Sequence, residues 1–361
     1  MTDFCYGGQI LMKNDFLIME DEEPQYIWDF IQSRQMVFHP TLSPEGQWDY
    51  SSFFQYKLDH SFSLILDRNL YSYLLQFCST GELADQETRQ RIGALMAWAA
   101  MNDVSFCAIL AAEERASQSG TTSHANLELE QFDRIFEIYP SQLWLRVAEN
   151  EIVSIPKLNG EHISEVTSLQ DDYSSEYYDM LYASVLHILY LVKCIDLSPR
   201  EKTISFFEWT YDNILLCQYA AVYAILLFTQ QKGVKPPKHS GSKNFSDVLK
   251  GCKNQAWDLT YPSIQSVLLS SNDIQSEFLF ATNDQQLKNI YINAHGPHGI
   301  NGLLFAAFSK PDYKRITDYL IPRIEKRQAE QKDNQRFSPA YLSQLILREE
   351  ALLQRICISE N

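Results

Sequence analysis

Ser61-Phe62-Ser63-Leu64-Ile65-Leu66-Asp67-Arg68-Asn69-Leu70 is the stretch whose reading decides the fold. Five mostly apolar residues end abruptly on an acid. An amphipathic run follows at once, with Leu70, Tyr71, Tyr73, Leu74, Leu75 and Phe77 on helical spacing. A short apolar run bounded by polar residues predicts a buried strand, and the longer run behind it predicts a helix. Asp67 then stands at the carboxyl end of a strand, where open α/β sheets place their ligands. It has two readings: one wall of a metal site, or a turn and helix-cap residue.

A second stretch repeats the pattern. Phe278-Leu279-Phe280-Ala281-Thr282 predicts a strand, and Asn283-Asp284 close it as Asp67 closes the first. Shortly before it lies Lys253-Asn254-Gln255-Ala256-Trp257-Asp258, in a helix that Ser246 caps, expected over 247–259. Asn254 and Asp258 are four apart and share a helical face, and Asp247 lies about three turns back. An acid amid Ala256, Trp257 and Leu259 is drawn toward the interior, where it needs a partner. Trp257 itself reads as core rather than as a base-stacking platform.

Between these stretches, 86–101 and 103–117 predict two helices, the second carrying Glu113-Glu114-Arg115 near its end. Residues 126–149 have helical spacing broken at Pro140, and 150–175 are polar. Two apolar helices are expected at about 176–195 and 199–231, the second started by Ser198 and Pro199. Lys232 to Lys243 is a Pro/Gly/Ser loop holding four lysines. It reads either as a solvated connector or as a phosphate contact. Residues 1–60 look irregular, with Pro24, Pro40 and Pro44 as breakers, and predict an extension wrapped on the main fold. Residues 301–357 predict helices broken near Pro311, Pro322 and the polar run 328–336. The His295-Gly296-Pro297-His298-Gly299 run is most simply a turn.

The chain of 361 residues is 45% hydrophobic and 13% aromatic, enough for a sizeable core and too apolar for global disorder. Its formal charge of -16 argues against a generic nucleic-acid coat protein, though a local basic groove stays open. Seven cysteines at 5, 78, 107, 194, 217, 252 and 357 form no CxxC pair. The odd count favours reduced thiols and a cytoplasmic location. The amino terminus lacks a signal-peptide pattern. The longest apolar segment, 214–228, falls short of a bilayer span, so no membrane partner is expected and a buried helix is.

Two strands ending in Asp, with acids on the intervening helices, suit Mg²⁺ or Mn²⁺. These ions prefer oxygen ligands, keep several waters, and polarise phosphates while activating water. The order is that of a known family. An Asp closes a first strand, a Glu lies on a later helix, an Asp lies on a late helix, and Thr-x-Asp closes the next strand. In this the chain resembles the PIN-domain ribonucleases over 62–117 and 246–292. The resemblance implies an α/β fold with a parallel sheet flanked by helices. A large mainly helical insertion and a helical C-terminal extension would add to it.

The organisation expected is an N-terminal extension at 1–60, a first core half at 61–149, and an insertion with basic linker at 150–245. A second core half at 246–300 and the extension at 301–361 complete it. The resemblance further implies Mg²⁺ or Mn²⁺ and metal-dependent hydrolysis of RNA. Asp67, Glu113 or Glu114, Asp258 and Asp284 would be the catalytic acids, with Asp67, Asp258 and Asp284 on the metal. Arg68, Lys253, Asn254 and Thr282 would line the substrate site. Departures are the long stretch from Gln118 to Phe245 and Asp-Arg-Asn where Asp-Thr/Ser-Asn is commoner. The biological setting suggested is a regulated toxin or defence effector, with RNA as substrate and a protein regulator as partner. A competing expectation is a helical interaction or scaffold protein whose PIN-like core has lost catalysis. The sequence sets no oligomeric state.

Overall fold

The computed structural model describes residues 9–10, 17–20, 22–158, 169, 176–271, 276–330 and 338–359. The chain divides into two units, Met1–Tyr173 with Gln265–Asn283, and Ser174–Ile264 with Asp284–Asn361.

The first unit holds all five described strands. Its elements run β1 (Gln9–Ile10), α1 (Glu23–Ser33), β2 (Val37–Phe38), α2 (Tyr50–Lys57), β3 (Ser61–Leu66) and α3 (Arg68–Thr80). Then come α4 (Gln86–Met101), β4 (Val104–Cys107), α5 (Ile109–Ser119), α6 (Ser123–Ile138), α7 (Ser141–Ala148) and, much later in the chain, β5 (Ser276–Ala281). The sheet order is β1-β4-β3-β5-β2. Central β3 is parallel to β4, with Phe62 opposite Val104, and to β5, with Leu66 opposite Ala281. Edge strands β1 and β2 are antiparallel to their neighbours. The molecule is therefore α/β and mostly helical, with a mixed sheet rather than the wholly parallel one expected.

Phe62 to Leu66 are all buried, so β3 has no polar face and shows no alternation, as a central parallel strand must not. Ser63 and Ser105 satisfy each other inside the sheet at 2.7 Å. Ring packing ties the early helices to it: Phe53 of α2 stacks on Phe62 at 5.1 Å, and Trp28 of α1 meets Trp98 of α4 edge-on at 5.7 Å. The 1–60 segment thus contributes two helices and sheet edges rather than irregular chain. Pro24 starts α1 instead of breaking it, because its missing N–H falls in the first turn.

Elsewhere the chain departs from its periodicity. Residues 103–117 are not one helix, because Val104-Ser105-Phe106-Cys107 is β4. Four residues buried on both faces leave no period by which to tell strand from helix. Gly81, at φ 78, ends α3 in the left-handed conformation that a side chain would strain.

The second unit is built of α8 (Glu176–Lys193), α9 (Pro199–Asn213), α10 (Gln218–Phe228), α11 (Phe245–Leu269), α12 (Gln285–His295), α13 (Gly299–Ala307), α14 (Lys310–Glu330) and α15 (Pro339–Ser359). The last five residues of α11 belong to the first unit. The single helix expected over 199–231 is two, since Ile214 is extended at φ -141 and ψ -176. An apolar run carries no stop signal of its own. The helix expected to end at Leu259 continues through Pro262, and Pro322 lies inside α14 rather than breaking it. Residues 159–168, 170–175 and 331–337 of the polar stretches lie outside the described residues. No disulfide joins the six described cysteines. No described helix is long and apolar enough to cross a membrane.

Candidate functional site

β3 runs to β4 on one side of the sheet, and the chain later returns as β5 on the other. The carboxyl end of β3 is therefore a topological switch point, the place where α/β sheets open a crevice for ligands. Asp67 stands there, 3% exposed. It caps α3: one carboxylate oxygen accepts from the Leu70 amide at 2.7 Å. The other accepts from the Thr282 hydroxyl at 2.5 Å, just past the end of β5. The Asp67 amide donates to Ala281 O at 3.0 Å, and the Thr282 amide donates to Met36 O at 3.1 Å. Asp67 and Thr282 are thus brought together, and their bond staples β3 to β5.

The neighbouring residue is also engaged. Arg68 makes a two-pronged pair with Glu128 of α6, at 2.5 and 3.0 Å, and donates to Ala111 O at 3.3 Å. Arg115 of α5 approaches the same carboxylate at 3.3 Å. A planar guanidinium forked on a carboxylate is a fixed geometry, so Arg68 acts as a strut between α3 and α6. Beneath it the Tyr71 hydroxyl is buried with no hydrogen-bond partner among the described residues. Burial first, and Glu128 second, push its ionisation upward. Glu113 and Glu114 on α5 are both buried, and Gln118 donates to Glu114 at 2.8 Å.

The remaining predicted residues belong to the second unit. Asp258 is half-buried on α11, one turn from half-buried Asn254. It stands close enough to the buried Tyr223 hydroxyl to help burial and Cys252 raise its ionisation. Trp257 is core, stacked on Tyr178 at 4.5 Å. Lys253 is exposed, its amine 5.7 Å from the Tyr182 ring centroid. Asp284 caps α12, accepting from the Leu287 amide at 2.9 Å. One turn on, and so on the same face, is Lys288, only 3% exposed.

Among the described residues no three His, Cys, Asp or Glu side chains gather closely enough to hold an ion. Two of the expected ligands, Asp67 and Asp284, serve as helix caps.

Two carboxylates, one half-buried and one buried, escaped the sequence reading. Glu277 on β5 accepts from Tyr56 at 2.7 Å and from His39 at 3.2 Å. The other His39 nitrogen accepts from the Thr41 and Leu42 amides, so the proton sits on Nε2. The His39 bond, and then Tyr56, hold Glu277 below the usual glutamate range against its burial. Glu349 of α15, 1% exposed, accepts from His187 at 2.9 Å and Trp209 at 2.9 Å. Burial pushes it up, but His187, Trp209 and Arg348 together bring it below its ordinary value. The signal was present for this one: Leu342, Leu345, Glu349 and Leu353 form an apolar stripe interrupted by an acid. No family model, curated protein or solved structure matches the chain.

Proposed function

We propose that this chain is a binding protein built on a PIN-like α/β core whose nuclease edge serves as a structural joint. One observation carries the reading. Both oxygens of Asp67 are committed, one to the α3 cap and one to the Thr282 staple, at the position where a ribonuclease of that family would hold its ion. Arg68, forked on Glu128, is likewise committed away from a scissile phosphate. The switch-point placement of Asp67 favours the second reading, an active metal-dependent ribonuclease, because a carboxylate with two acceptor bonds retains further lone pairs.

Cleavage decides between them. Purified chain is incubated with single-stranded RNA and DNA under Mg²⁺, Mn²⁺ or EDTA, alone and in cell extract. The binding reading expects both substrates intact and a melting temperature no higher in Mn²⁺ than in EDTA. Metal-dependent cleavage that Asp258→Asn abolishes would install the ribonuclease in its place.

A further inference from the structure

In this acidic chain, residues 232–253 are an exception: six of its thirty basic residues, Lys232, Lys235, Lys238, Lys243, Lys250 and Lys253, against a single acid, Asp247. All six are exposed. None enters an ion pair among the described residues. We propose that this surface of the second unit binds the phosphate backbone of a nucleic acid.

The loop that carries four of the lysines is fixed rather than merely solvated. Tyr223 of α10 donates to Lys235 O at 3.0 Å, and the Lys235 amide donates to Gln286 of α12 at 2.8 Å. Asn289 of α12 donates to Lys232 O at 3.3 Å, and Ser242 donates to Asp247 of α11 at 3.2 Å. Where the loop crosses α11, a Cβ on Gly251 would stand 1.7 Å from Lys238 O. That approach sets Lys238 beside the α11 turn that carries Lys250 and Lys253. A connector needs none of these ties; a charged platform gains by being set before its ligand arrives.

The chemistry selects the partner. Protein interfaces rest on apolar and aromatic anchors in their centre. Among the described residues, no exposed large apolar residue lies between Leu216 and Phe305. The charges of this surface are mostly compact ammonium groups, which suit phosphate oxygens along a backbone and carry no base readout. Net repulsion from the rest of the chain makes the contact short-ranged and strongly salt-dependent. This inference names a partner for the binding reading, and it stands whether or not the chain also cleaves.

The test is fluorescence anisotropy of the full chain with a 5′-labelled 20-nucleotide oligouridylate or oligothymidylate, in EDTA so that cleavage cannot intervene. Six phosphate contacts predict a log Kd against log salt slope of about 4, from the roughly 0.7 per contact of single strands. Lys235→Gln/Lys238→Gln and Lys250→Gln/Lys253→Gln should each weaken binding several-fold and lower the slope by about 1.4. Circular dichroism confirms the fold, and the matching Lys→Arg pairs should retain affinity. Lys310→Gln/Lys314→Gln, on α14, should change nothing. Absence of binding at 50 mM salt, affinity indifferent to both Gln pairs, or equal competition by poly-glutamate would overturn the proposal, the last in favour of an acidic polypeptide.

Discussion

At Asp67 the end of a strand and the start of a helix share one carboxylate. Removing it by Asp67→Ala loses the cap, roughly 0.5–2 kcal/mol. It also takes away the acceptor of the buried Thr282 hydroxyl, about 1–3 kcal/mol more. Asp67→Asn keeps the cap through its single carbonyl oxygen but turns an N–H₂ donor toward Thr282, so it should cost less in urea midpoint than Asp67→Ala, at constant slope. Equal losses would mean that the charge, not the joint, is what the position uses. Asp133 on α6 makes the opposite case. Burial, then Glu137 and Glu130, push it up to about 6. Its folded form holds the proton longer, so the associated stability is full below the ordinary aspartate value and lost as pH rises through about 6. Asp133→Asn should therefore stabilise the chain at pH 8, by roughly 1 kcal/mol once solvent screening of a half-exposed group is allowed for, and do nothing at pH 4. The cap role of Asp67 was legible as one of two readings. The engagement of Arg68 was not, because nothing in the spacing of Arg68 and Glu128 relates residues 60 apart.

Among elements, α15 shows what a buried polar cluster contributes. Glu349 joins it to α8 through His187 and to α9 through Trp209, and His187 lies flat on the Trp209 ring at 4.5 Å. His187→Phe keeps the stacking and deletes the hydrogen bond to a charged acceptor, so thermal or urea unfolding should register a loss of roughly 1.5–3 kcal/mol. A loss near zero would show that Arg348 and Trp209 satisfy Glu349 unaided. Elements announced themselves where apolar residues recur with a clear period. The expected 86–101 helix is α4, and the Pro140 break separates α6 from α7. They failed to do so where an apolar run carries no period. β4 and the α9–α10 break both lie in runs apolar on every face, and Pro262 and Pro322 sit within helices that tertiary packing carries past them.

For the whole molecule, the acid limb of stability should be shared. Glu277 in the first unit and Glu349 in the second are both held below the usual glutamate range. A depressed folded value means stability present above the unfolded value and lost as pH falls through the folded one. Urea melts from pH 6 down to pH 3 should therefore weaken steadily, and Glu277→Gln with Glu349→Gln should flatten that decline. An unchanged decline would assign it to the general charge of the chain. The α/β class was legible from two strands ending in Asp. The mixed sheet was not, since two-residue edge strands carry too little pattern to be seen.

The contact between Gly251 and the Lys238 carbonyl has a consequence for proteolysis. A loop rich in exposed lysines is ordinarily the first place trypsin cuts, yet cleavage requires several residues to peel into the protease. Pro236 protects the bond after Lys235, and the seating of Lys238 on α11 holds the next one. The native chain should therefore resist nicking at 238–239 despite its exposed lysine. Gly251→Ala drives a methyl into the seat and should make that bond a leading early cut, seen as two fragments by mass spectrometry. Unaltered cleavage kinetics would mean that the loop is held without the glycine.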